Sequence, residues 1–185
     1  MKMIAILGLA ASMATAVLAP AAMAQTAKPA HTLVITTDKG EIDVALRPDL
    51  APKHVEQIEA LAKEGFYDGV VFHRVIPGFM AQTGDPTGTG TGGSKRPDLK
   101  AEFSKEPFKR GTVGMARASD PDSANSQFFI MLADGDFLNG QYTVVGQVTK
   151  GMDVVDAIKK GSESNNGQVS DPDKMLSVKL APSAQ

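Results

Sequence analysis

The sequence predicts a mainly β protein, a closed antiparallel barrel of about eight short strands with two α-helices covering its open ends. Three observations carry this expectation. Apolar residues recur with period two in a series of short runs, two longer segments carry apolar stripes at helical spacing, and a chain of 185 residues suffices for one domain with a substantial core but not for two of ordinary size. A two-sheet sandwich fits the same pattern, and periodicity does not separate the two.

Residues 1–24 stand apart from that domain. Lys2 gives a positive start, Ile4 to Leu18 is apolar, and Ala22-Met23-Ala24 supplies small residues before a cut at Gln25, which together read as a secretory signal peptide. The alternative is a retained membrane anchor, for which the apolar run is short of the ~20 residues a spanning helix needs. The chain has no Cys and so no lipid-anchoring thiol. Residues 25–30 are small, polar and Pro-containing and are expected to be a disordered lead-in, leaving 31–182 as the domain.

Within the domain, Leu33, Ile35 and Thr37 alternate with Val34 and Thr36, Asp38-Lys39-Gly40 turns the chain, and Ile42, Val44 and Leu46 alternate with Glu41 and Asp43. That is a β-hairpin with Gly at the position that needs positive φ. Pro52 opens a helix, Val55, Ile58, Leu61 and Ala62 form its stripe, and Gly65 stops it. Short apolar runs follow at 70–76, 79–83, 112–116, 127–132 and 142–148. A second helix is expected between Met152 and Lys160, and Leu176, Val178 and Leu180 alternate in a last strand.

Composition excludes several classes of function. Loss of residues 1–24 removes Lys2 and no acid, leaving 18 basic residues against 21 acidic ones, a net charge of −3, which offers no nucleic-acid surface. Without Cys there is no disulfide, thiol catalysis or Cys-ligated zinc, although an oxidising compartment remains compatible. The three His, at 31, 54 and 73, accompany no Gly-Xaa-Ser-Xaa-Gly elbow. The glycine- and threonine-rich run 84–93 lacks the Gly-Lys-Ser/Thr ending of a phosphate loop and reads as a flexible surface loop near the binding groove. His73 and Asp85 stand isolated as metal ligands, while Asp120, Asp122 and Asn165-Asn166-Gly167 read as loop chemistry.

Two strands carry a different signal. In 127–132 period two puts Phe128, Ile130 and Leu132 on one face and Gln127, Phe129 and Met131 on the other. A strand buried on both sides explains this, and so does a groove that needs amide hydrogen bonds beside apolar contact, as a peptide would. Met80 and Gln82 share a face in the same manner. Arg74 lies inside an apolar run and is expected either to pair with a carboxylate or to be held for a ligand.

The blocks Phe72-His73-Arg74-Val75-Ile76-Pro77-Gly78-Phe79-Met80-Ala81-Gln82-Thr83-Gly84-Asp85, Gly114-Met115-Ala116-Arg117-Ala118 and Ser126-Gln127-Phe128-Phe129-Ile130 resemble the cyclophilin family of peptidyl-prolyl cis-trans isomerases, in its bacterial, exported branch. The resemblance runs from about Leu33 to Leu180. It implies the family's eight-stranded barrel with two capping helices, and an enzyme that accelerates rotation about Xaa-Pro bonds of exported proteins without covalent chemistry, cofactor or metal. It assigns Arg74 as the catalytic side chain and Phe79, Met80, Phe129 and Leu138 as the proline pocket. Gln82 and Gln127 would bind substrate amides or orient Arg74. Ala116, Arg117 and Ala118 would line the groove, and Phe137 and Tyr142 would close its rim.

Animal cyclophilins carry Trp where this chain has Phe137, and Arg117 and Tyr142 replace an Asn and a His. A missing indole N–H implies weak or no cyclosporin binding, without touching Arg74 or the apolar pocket. The expected partners are Xaa-Pro-containing polypeptides. The expected setting is the periplasm, with no membrane attachment after signal cleavage and no need for more than a monomer. The rival expectation is a non-catalytic chaperone or scaffold that binds Pro segments, for which a cation in an apolar groove has no use.

Overall fold

The computed structural model describes residues 31–181; the expected signal peptide, the lead-in 25–30 and residue 182 lie outside the described residues. The chain runs β1 (Thr32–Thr37), β2 (Gly40–Leu46), α1 (Pro52–Lys63), β3 (Arg74–Ile76), β4 (Met80–Thr83), β5 (Thr112–Met115), β6 (Phe128–Met131), β7 (Val144–Lys150), α2 (Met152–Ala157) and β8 (Ser177–Leu180). All pairings between these strands are antiparallel, in the order β3-β4-β6-β5-β7-β2-β1-β8.

The expected closed barrel is corrected: the sheet is an open half-barrel, because its end strands β3 and β8 share no ladder. Between them runs irregular chain that makes isolated bridges, Val71 to Lys174 and Arg74 to Gln168. The physical reason lies in residues 167–173. Gly167 and Asp171 both have positive φ, and Pro172 has no N–H to donate, so this stretch cannot present the regular row of donors that a closing ladder requires. For the same reason the apolar run 70–76 is a strand only from Arg74 onward.

The first hairpin forms as expected, with Thr37 paired to Gly40. Gly40 has φ 136, and a Cβ there would come within 2.9 Å of Val154 on α2. Helix α1 starts with Pro in its first turn and has no side-chain cap of its own. The cap comes from elsewhere in the chain: the Glu102 carboxylate accepts from the backbone N–H groups of Lys53 at 3.1 Å and His54 at 3.1 Å, satisfying donors that the first helical turn leaves unpaired. It also meets Nδ1 of the fully buried His54 at 2.6 Å. Helix α2 ends at Ala157, short of Lys160. Ile158 turns extended with ψ 135 and buries its side chain in the core, and Gly161 then donates to the Val75 carbonyl.

Both faces of the sheet are covered. The inner face, with Phe128, Ile130 and Leu132 of the central region, joins the apolar stripe of α1 in the principal core. On the opposite face Met80, Phe108, Phe129, Met131, Leu138 and Val144 form a second cluster, so the period-two reading of 127–132 holds for its five apolar residues.

Phe128 is 1% exposed and Phe137 is 65% exposed. Phe128→Ala should lower the free energy of unfolding by about 3–5 kcal/mol, and Phe137→Ala by less than about 1 kcal/mol, as read from urea denaturation. Equal losses would contradict this assignment of core and rim.

Candidate active site

The second cluster floors an open groove of about 770 Å³. Strand register builds it. Arg74 of β3 pairs with Gln82 of β4, Gln82 with Phe129 of β6, and Phe129 with Gly114 of β5. Directly paired residues share a face, so a cation, an amide and an aromatic ring stand in one row across four strands. Gly114 ends the row because a Cβ there would come within 2.6 Å of both Phe108 and Phe129; its absence lets those rings stack at 5.7 Å. The β3–β4 hairpin turns through Pro77-Gly78, Gly78 having φ 67, and that turn fixes the register.

The apolar slot is made by Phe79, Met80, Phe129 and Leu138, all of which line the groove. Met80, Phe129 and Leu138 are buried. Phe79 meets the exposed Phe137 ring at 5.4 Å, and Tyr142 meets Phe129 edge-on at 5.8 Å. Ala116 and Arg117 form the wall beside Tyr142, with the Arg117 guanidinium 4.5 Å over the Tyr142 ring.

Arg74 has no carboxylate partner among the described residues. Its Nε donates to the Asn166 carbonyl at 2.9 Å, Nη2 to Asn166 Oδ1 at 2.8 Å, and Nη1 to Gln82 Oε1 at 3.2 Å. Gln82 Nε2 donates in turn to Gln127 Oε1 at 2.9 Å, and Gln127 Nε2 donates to the carbonyls of Gly90 at 3.1 Å and Gly92 at 2.8 Å. Burial lowers the Arg74 guanidinium from its ordinary value, yet arginine keeps its proton throughout the physiological range.

That relay ends in the loop 84–93, which lines the groove through Gly88, Thr89, Gly90 and Thr91. Asp85 is fully buried and accepts from the N–H groups of Thr87 at 2.7 Å, Gly90 at 2.6 Å and Gly92 at 3.1 Å and from the Thr87 hydroxyl at 2.8 Å. These bonds to the charged form overcome the upward push of burial and hold the carboxyl down to about 2. His73, also on the groove, is 4% exposed with neither ring nitrogen partnered. Burial pushes its imidazole down.

Of the residues expected at the site, ten line the groove: Arg74, Phe79, Met80, Gln82, Ala116, Arg117, Phe129, Phe137, Leu138 and Tyr142. Gln127 stands behind Gln82 and reaches the loop, not the groove. Ala118 is exposed outside the groove, and its N–H is taken by the Ser123 hydroxyl at 2.9 Å, so it offers no donor to a peptide. Sequence reasoning missed Asn166, Asp85 and His73. The signal that existed for Asn166 was the Asn-Gly pair, which marks a left-handed turn; Asn166 has φ 51, and that turn brings its carbonyl and amide together onto Arg74.

The family model described as cyclophilin type peptidyl-prolyl cis-trans isomerase/CLD matches residues 32–180. A probable peptidyl-prolyl cis-trans isomerase of Brucella suis is 60% identical over 168 residues, covering 85% of this chain and 86% of that protein. A peptidyl-prolyl cis-trans isomerase of Helicobacter pylori is 47% identical, covering 69% and 79%. Among solved structures, a Cryptosporidium parvum cyclophilin type peptidyl-prolyl cis-trans isomerase crystallised in the presence of the dipeptide Ala-Pro superimposes with a TM-score of 0.74 at 28% identity, covering 82% of this chain and 99% of that one. Cyclophilin AquaCyp293 of Hirschia baltica gives 0.72 at 27% identity, covering 82% and 74%.

Asp85 holds its proton less readily when folded than when unfolded, so its stabilisation is complete above 3.8 and is lost as pH falls toward about 2. His73, lowered by burial from 6.5, acts in the same direction, since the unfolded imidazole takes up a proton first as pH falls. Asp85→Asn should lose about 2 kcal/mol of stability at pH 7 and show a shallower decline in thermal midpoint from pH 4 to pH 2 than the parent. Parental stability of that variant at pH 7 would remove Asp85 from its role in the loop.

Proposed function

We propose, from the premise that this chain belongs to the cyclophilin-type peptidyl-prolyl cis-trans isomerases, that Arg74 is its catalytic residue and that the slot of Phe79, Met80, Phe129 and Leu138 receives the proline ring. The family and its named relatives are isomerases, and this chain is one; the assignment of roles rests on the geometry. The observation that carries it is a guanidinium held only by neutral partners at the edge of an apolar slot.

The reaction has a barrier of about 20 kcal/mol, set by the double-bond character of the C–N bond. At the twisted midpoint that character is lost, and the proline nitrogen regains a lone pair that accepts a hydrogen bond. A donor fixed at that point binds the midpoint better than either planar end state, which is the requirement for catalysis. Arg74 has five N–H donors and uses three of them on Asn166 and Gln82. Two remain for the substrate. The slot holds the pyrrolidine ring and, being poorly solvating, disfavours the more polar planar amide relative to the twisted one. Gln82 orients Arg74, and Gln127 orients Gln82. No bond of the substrate breaks, so the route needs neither nucleophile nor metal.

Cyclophilin-type isomerases bind Pro-containing peptides, as the Ala-Pro crystallised with the Cryptosporidium relative illustrates, and the proposed substrates are Xaa-Pro segments of other exported proteins. Export to a bacterial periplasm rests on the positive start, apolar stretch and small-residue cut of residues 1–24. Weak cyclosporin binding follows from Phe137, which has no ring N–H to donate. A monomer is sufficient because every residue of the proposed site comes from one chain. A non-catalytic binder of Pro segments would have no use for the uncompensated charge of Arg74.

Arg74→Ala should keep the fold and measurable peptide affinity but lose about a hundredfold or more in kcat/KM, the scale for removing one preorganised donor. Protease-free NMR exchange on an Ala-Pro peptide reads this. A parental rate would sink the assigned role and place the catalysis on another group. With His73 already neutral and Arg74 protonated, the parental rate should stay flat from about pH 7 to pH 9.

A further inference from the structure

Five arginines occur in the sequence. Three pair with carboxylates: Arg47 with Asp49, Arg96 with Glu64 and Arg110 with Asp156. The two that have no such partner among the described residues, Arg74 and Arg117, are the two that line the groove. No Asp or Glu lines that groove, in a chain whose acids outnumber its bases, 21 to 19. Arg74 is accounted for by the proposed reaction. Arg117 is not.

Arg117 is fixed. Its Nη1 donates to the carbonyls of Ala118 at 2.9 Å and Ser119 at 3.4 Å, its Nη2 to that of Gln141 at 3.0 Å, and its plane lies over Tyr142. Its Nε is buried without any partner. Carbonyls and a ring face orient a guanidinium without neutralising it, and holding it still removes the side-chain entropy that usually weakens exposed ion pairs. Tyr142 in turn meets Phe129 at the base of the proline slot. The charge therefore stands two ring contacts from the proline, a span that an extended peptide covers in about three residues at ~3.3 Å each.

We infer that Arg117 makes this enzyme selective for proline segments carrying an Asp or Glu within about three residues of the proline, on the Tyr142 side of the slot. The acidic side chain supplies the compensating charge that the fold gives to Arg47, Arg96 and Arg110 and withholds here. A positive groove in a negatively charged protein also draws in such segments ahead of basic ones. This inference rests on the proposed location of the proline slot.

The test is protease-free NMR exchange on a peptide with one proline, in which each of the three positions on either side is made Glu, Gln or Lys in turn. At one position or two adjacent ones, kcat/KM for Glu should exceed that for Lys by about three- to fivefold at low salt. The ratio should fall toward unity at 1 M salt, where the Debye length is ~3 Å. In Arg117→Gln the Glu-to-Lys ratio should collapse to below about 1.5 at low salt, whatever happens to the absolute rates. A ratio near unity in the parent at every position, or a parental ratio that survives in Arg117→Gln, would overturn the inference and leave Arg117 as a buttress for Tyr142. Turnover of the Gln peptide by the parent reports separately on the isomerase reading.

Discussion

A guanidinium beside an apolar slot is costly to keep unless its donors are satisfied, and the way this protein satisfies them governs its site. Arg74 is gripped by two acceptors from a single residue, Asn166, and one from Gln82. All three are neutral. A carboxylate in their place would hold the side chain more strongly, but it would also neutralise the charge the substrate is to meet. Neutral acceptors give position without that loss, and they leave two N–H groups unspent.

The rest of the structure secures this arrangement. The sheet carries buried side chains on both faces, and strands β4 and β6, interior in the strand order, supply both the inner core and the groove floor. Precision in the groove is therefore inherited from the core, because a strand packed on one face cannot shift the residues of the other. From Gln82 the hydrogen bonds continue through Gln127 into the loop 84–93, where buried Asp85 gathers the backbone N–H groups of Thr87, Gly90 and Gly92. The open seam between β3 and β8 also contributes. The irregular chain that replaces a closing ladder there includes Gly167, next to Asn166, so the stretch that prevents closure of the barrel also delivers the second half of the Arg74 clamp.

What the sequence disclosed was mostly alternation. Phe128, Ile130 and Leu132 went to the principal core and Phe129 and Met131 to the second cluster beneath the groove, as period two requires, and Arg74 proved to have no acid partner among the described residues. Ten of the twelve residues that the cyclophilin resemblance assigned to the site do line one groove. The remainder depended on distance in space, which no local pattern encodes. Asp85 looked isolated because its partners are backbone N–H groups. Asn166 is 92 residues from Arg74, and Glu102 caps α1 through the N–H of Lys53, 49 residues earlier. Ala118, which the family resemblance assigned to the groove, lies outside it because the chain turns after Arg117 and the Ala118 N–H goes to the Ser123 hydroxyl. Closure of the sheet was illegible because it depends on whether one irregular stretch can offer a row of donors.

Arg74 acts by geometry as well as charge, and Arg74→Lys separates the two. Lysine keeps the positive charge but presents it on a flexible stem without the planar fork that Asn166 and Gln82 grip. Exchange spectroscopy on an Ala-Pro peptide, with circular dichroism to verify the fold, should find this variant about as slow as one lacking the cation. A lysine variant within about twofold of the parent would contradict the claim that a fixed donor, held by neutral partners, is what the twisted amide requires.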